Sequence, residues 1–182
     1  SICVINNQLI YKYKKTQRIT QLLGKPKISD LEKYNQLIIV IPKKESKSIW
    51  NLIPQGKKIK ELIKNYSKGS SPAITSRLKN TKQTSLHIGL LNSKLEAFDR
   101  LAFSRDMIKS VTQEKAGSLA IWVLGFETDF QKKFTEEILS AALVGQFILP
   151  SFKSKSPTQK ITSISLIGLD KKMITKDIVA ES

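Results

Sequence analysis

Five consecutive apolar residues, Leu37-Ile-Ile-Val-Ile41, closed by Pro42, constrain this chain more than any other stretch. A run of β-branched and aliphatic side chains with no polar alternation predicts a strand buried on both faces. Proline ends it because it brings no N–H to the ladder. A strand buried on both faces needs apolar layers above and below its sheet, which points to an α/β fold with helices on both sides.

The rest of the chain is read around that strand. Ile2–Ile5 and Leu9–Tyr13 are weaker strand candidates, Gly24-Lys-Pro26 reads as a turn, and Ser29 is placed as the cap of a short helix over Asp30–Tyr34. Over Lys57–Tyr66 the residues Ile59, Leu62, Ile63 and Tyr66 recur with helical spacing, so they are expected to form the inward face, with Lys57, Lys58, Lys60 and Lys64 solvated. After the loop ending at Pro72, Ala73–Arg77 reads as a short strand and Thr84–Leu91 as a longer one. Ser93 and Glu96 have the spacing of a capping box and predict a helix running to Thr112, with Leu95, Phe98, Leu101, Ala102, Ile108 and Val111 inward. Ser118–Leu124 is strand-like. Thr128 and Gln131 suggest a second capping box, opening a helix from Phe130 to Phe147, with Phe134, Ile138, Ala141, Ala142 and Gly145 on one side. Pro150 and the segment to Gln159 break the pattern, Lys160–Ile167 alternates as a strand, and Asp170–Ser182 is weakly helical. From residue 84 onward the order is strand, helix, strand, helix, strand, which specifies crossover units and a mixed, largely parallel sheet with helices on both faces.

Charge is the next constraint. The 182 residues carry a formal net charge of +16, from 27 lysines and 4 arginines against 15 acids. Residues 1–82 hold 18 basic and 4 acidic residues, a net +14, whereas residues 83–149 are nearly neutral. Such a basic half suits nucleic acid or an anionic surface. The scarcity of arginine argues against bidentate reading of bases or phosphates, and solvated lysines are the plainer explanation.

Several functions lack their chemistry. His87 is the only histidine and Cys3 the only cysteine, which excludes a zinc site of the usual kind and any internal disulfide. Acidic residues such as Glu136 and Glu137 are read as capping or solvated positions. There is no dinucleotide fingerprint, no phosphate-binding P-loop and no nucleophile elbow. No catalytic, cofactor-binding or metal-ligating residue is therefore assigned. No apolar run approaches the length of a membrane span, and a reducing, cytoplasmic setting is expected.

The segments quoted above, taken in order from Leu37 to about Gly168, resemble the N-terminal domain of the leucyl (cytosol) aminopeptidase family. Leu37–Ile41 is similar to that domain's first strand, and Ser85–Leu91 to the strand that there ends in Gly-Leu-Gly, although Gly89-Leu-Leu91 lacks the second glycine. The helix to Thr112 and the strand Leu119–Leu124 follow in the same order. The most telling stretch is the acidic helix Glu136–Phe147 with its Ala-Ala-Leu-Val-Gly segment, then Phe152-Lys-Ser-Lys155 in place of Tyr-Lys-Ser/Thr-Lys, then Ile161–Ile167. The resemblance implies a macro-domain-like architecture. It divides the chain into an N-terminal extension or first strands (1–36), the macro-like domain (37–170) and the start of a linker (171–182). In that family the domain precedes a separate catalytic domain that uses two divalent metal ions to release N-terminal amino acids from peptides. The implied partners are that C-terminal domain and, in the full-length protein, a homo-hexamer. The metal ligands and catalytic residues belong to the second domain and map to no position here, so this chain alone is expected to be non-catalytic. No glycine-rich loop of the kind that holds ADP-ribose in macro domains is present. The alternative expectation is a stand-alone basic module that binds nucleic acid.

Overall fold

The computed structural model describes residues 2–5, 8–13, 17–44, 47–66, 73–114, 117–145 and 161–169. They form strands β1 (Ile2–Ile5), β2 (Gln8–Tyr13), β3 (Gln17–Leu23), β4 (Gln36–Pro42), β5 (Ala73–Arg77), β6 (Ser85–Leu91), β7 (Gly117–Val123) and β8 (Ile161–Leu169). The helices are α1 (Ile28–Leu31), α2 (Gly56–Tyr66), α3 (Ala97–Thr112) and α4 (Thr128–Gly145), with a 3-10 helix at Lys47–Leu52.

All eight strands join one sheet in the order β1-β2-β3-β8-β7-β4-β6-β5. The four central pairings, β3 to β8, β8 to β7, β7 to β4 and β4 to β6, are parallel, and the outer ones are antiparallel. The fold is thus a mixed, largely parallel α/β sheet with helices on both faces. Because β3 pairs with β8, the segment before residue 37 continues the same sheet.

The sheet divides the core by strand alternation. Ile38 and Val40 of β4, Leu119, Ile121 and Val123 of β7, and Ile164 and Leu166 of β8 face α3 and α4. Leu37, Ile39 and Ile41 of β4, with Leu86, Ile88 and Trp122, face α1, α2 and the 3-10 helix through Leu31, Ile59, Ile49 and Trp50. Every residue from Leu37 to Ile41 is fully buried, as its unbroken apolarity requires. Each such side chain contributes about 2 kcal/mol by leaving water.

Several local expectations are corrected. Helix α1 begins after Lys27, whose backbone N–H donates to Asp30 Oδ2 at 3.2 Å, so Ser29 is not the cap. Helix α3 begins at Ala97 with Glu96 at its N-cap and no side-chain cap, so Ser93 caps nothing. Asn92 instead closes a turn by accepting the Lys94 backbone N–H. Helix α4 includes Thr128, and the Gln131 side chain donates to Gly168 O at 3.1 Å rather than closing a capping box. Leu62 of α2 is exposed while Ile59 is buried. Strand β3 and the 3-10 helix fall outside the elements expected from sequence. The readings for 150–159 and Asp170–Ser182 lie outside the described residues, as do Phe147 and Phe152–Lys155.

Candidate functional site

Open α/β sheets bind ligands where adjacent parallel strands send their following helices to opposite faces. Two such points flank β4, which is followed by α2 on one face, because its neighbours β7 and β6 are followed by α4 and α3 on the other. Gly125, just past β7, has φ +84°, and a Cβ there would lie 2.5 Å from Ile49 Cδ1 and 3.1 Å from Pro42 Cδ. The ends of β4 and β7 therefore meet the chain's own apolar side chains, and only glycine fits between them.

His87, the one histidine, is fully buried on β6. Its Nδ1 lies 2.9 Å from Thr75 Oγ1 and its Nε2 lies 2.9 Å from Gln36 Oε1. Burial pushes its pKa down to about 4, with Glu114 opposing that shift. It is a neutral, hydrogen-bonded core residue. Among the described residues no three of His, Cys, Asp or Glu converge where a metal ion would sit.

Among the described residues, the outer side of α3 and α4 presents a formed feature. The two helices are clamped by Arg100, whose Nε and Nη2 reach the Glu137 carboxylate at 3.1 and 3.0 Å while Nη1 donates to Leu95 O at 2.8 Å. Hydrogen bonding to Glu137 is the main cause holding the Arg100 pKa above its ordinary value. Glu137 is thereby part of a largely buried ion pair, which corrects its reading as a solvated acid. Phe103 and Phe134, from the same two helices, pack with their rings tilted at 60° and their centroids 5.9 Å apart.

Helix α3 has two apolar stripes. Phe103, Met107, Ile108 and Val111 face the sheet. Phe98, 76% exposed, together with Leu101 and Ala102, faces outward, against the expectation that all three are core. Between the helices lies a groove of about 490 Å³ lined on its apolar part by Leu101, Ile108, Ala141 and Val144. Ala141 packs against the core, as expected, and also lines this groove, and Val144 is 67% exposed. Arg105 and Lys109 also line it, are exposed, and make no ion pair among the described residues. The groove's acid, Glu137, is neutralised by Arg100, so an apolar furrow with a cationic rim results. The signal in the sequence is a helix with apolar residues on more than one side, which a single-face reading discards.

A second surface is electrostatic. Lys43 and Lys44 after β4, Lys47 on the 3-10 helix, and Lys57, Lys58 and Lys64 on α2 are all exposed. Lys64 pairs with Glu61 at 2.8 Å.

No family model matches the chain, and no curated protein matches it. Solved structures do. A tomato leucine aminopeptidase mutant aligns with TM-score 0.61 at 11% identity, over 93% of this chain and 36% of that one. An Oceanobacillus iheyensis macrodomain mutant aligns with TM-score 0.52 at 8% identity, over 96% of this chain and 94% of that one. The chain thus spans about a third of the aminopeptidase it matches. At these identities the likeness is one of fold. No helix among the described residues is long and apolar enough to cross a membrane.

Proposed function

We propose that this chain is a non-catalytic, macro-like domain of a leucyl-aminopeptidase-like metallopeptidase, acting in assembly or regulation beside a C-terminal catalytic domain of the same polypeptide. The observation that carries this reading is the fold alignment with the aminopeptidase, nearly complete on this chain and confined to about a third of the other. It is supported by the chain's own surface, where Leu101 and Val144, both exposed, line an open groove between two helices. The two divalent metal ions, the peptidase chemistry and a homo-hexameric, cytoplasmic assembly belong to that proposed parent. Immunoblotting of source cells with an antibody to this domain tests the reading. The expected band is several hundred residues long, and the full-length protein then shows metal-dependent release of N-terminal leucine. A native chain of about this length, or a longer one without peptidase activity in the presence of added divalent metal, overturns it.

The exposed lysines on the β4 end, the 3-10 helix and α2 favour a second reading, a module that binds nucleic acid. Binding to duplex DNA would then fall steeply between about 50 and 200 mM salt, as counterion release dictates. No binding at low salt, or binding insensitive to salt, removes this reading.

A further inference from the structure

We infer that the groove between α3 and α4 is a docking site for an acidic amphipathic helix of a partner protein. Two neighbouring helices packed on a sheet leave a furrow whose ridges accept a third helix, and such a helix binds through apolar anchors spaced three and four residues apart. Leu101, Ile108, Ala141 and Val144 supply the apolar floor along that furrow. Phe98, one turn before Leu101 on α3, extends the apolar surface past the end of the groove. An elongated partner covers both, whereas a small ligand would leave Phe98 in water.

The charges select the sign of the partner. Arg105 and Lys109 flank the floor with no ion pair among the described residues, and Glu137 is already bound to Arg100. The exposed acids of α3, Asp99 and Asp106, do not line the groove. Acidic side chains beside an apolar stripe therefore find free cations here, and basic ones find none of the opposite sign. A second copy of this chain fits poorly. A face-to-face contact of two such grooves brings Arg105 and Lys109 against their own equivalents, in a chain whose net charge is +16, and like charges so juxtaposed oppose association.

Docking at this groove deepens the interaction-domain reading but does not depend on the aminopeptidase parentage, which the native mass and the peptidase assay decide separately. The test uses three synthetic helical peptides of about 18 residues, some five turns long. One carries a leucine stripe with glutamate elsewhere, the second the same stripe with lysine elsewhere, and the third glutamate with the stripe replaced by serine. Binding is followed by fluorescence polarisation and by amide chemical shifts at about 0.15 M salt, where weak surface attraction is screened. The acidic striped peptide is expected to bind at least about tenfold more tightly than either of the others, with shifts confined to α3 and α4. Val144→Asp and Leu101→Asp, both at exposed positions, are each expected to weaken it by about tenfold or more without loss of helical circular dichroism. The pair Arg105→Glu and Lys109→Glu is expected to reverse the preference toward the lysine peptide. No binding by the acidic striped peptide, equal binding of the serine peptide, or shifts centred on the lysines of α2 overturns the inference. So does sedimentation showing a dimer that Val144→Asp abolishes, which would make a second copy the occupant.

Discussion

Nε2 of His87 stands 2.9 Å from Oε1 of Gln36, and Nε2 of that glutamine donates to Val111 O at 3.0 Å. An amide oxygen only accepts, so the imidazole carries its proton on Nε2, and Nδ1 accepts from the Thr75 hydroxyl at 2.9 Å. One neutral histidine thus ties the edge strand β5 and strands β6 and β4 to the C-terminal turn of α3.

This relationship makes stability depend on pH. The pKa of His87 falls from 6.5 to about 4 on folding, chiefly by desolvation. Between those values the unfolded chain binds a proton that the folded chain excludes, so stability is complete above pH 6.5 and declines as pH falls toward 4. The full effect is on the order of 3 kcal/mol. Urea midpoints taken across this window are expected to fall more steeply for the native sequence than for His87→Gln. Equal slopes would show that His87 is not the group responsible.

The Arg100 and Glu137 side chains are only 10% and 16% exposed. Arg100→Met leaves the Glu137 carboxylate and the Leu95 carbonyl without their partner and is expected to cost about 3 kcal/mol. Adding Glu137→Leu removes the stranded charge and is expected to restore most of that loss. A double-mutant cycle in urea measures both. Additive losses would mean that the pair is not coupled.

Gly89 lies in the middle of β6 beneath α3. A Cβ there would come within 2.6 Å of Phe103 Cζ and 2.9 Å of Met107 Sδ. Gly89→Ala is expected to destabilise by about 1–3 kcal/mol through overpacking. Phe103→Leu in the same chain is expected to recover part of that loss, as judged by thermal unfolding of the single and double variants.

The two faces of α3 are separable by substitution. Phe103→Ala empties a packed site against Phe134 and is expected to cost about 3–5 kcal/mol. Phe98→Ser, at an exposed position, is expected to stay within about 0.5 kcal/mol of the native stability. Comparable losses at both positions would contradict the orientation of α3.

The sheet and its layering were legible because they follow from local pattern. Leu37–Ile41 has no polar residue to place in water, so it is buried on both sides wherever it goes. The strand and helix order after residue 84 admits few topologies. Helix ends were less legible. Ser93 and Thr128 have the spacing of caps, yet spacing does not say whether the chain turns there, and Asn92 and Glu127 hold the turns instead. His87 was legible as a packed residue because one histidine among few acids has no ligand set to join.

The α/β class, the mixed sheet with two helical layers and the basic character of the first half follow from residue type and period alone. Which apolar stripe of α3 is core and which is surface depends on how the elements pack. Phe98, Leu101 and Ala102 satisfy helical spacing as well as Phe103, Met107 and Val111 do, and the choice between them rests on where the sheet lies. The same is true of the groove. Its walls come from two helices separated by β7, its cations from one of them, and its missing negative charge from an ion pair between both. No single stretch of sequence contains that arrangement, because charge neutralisation and exposure are properties of neighbours in space.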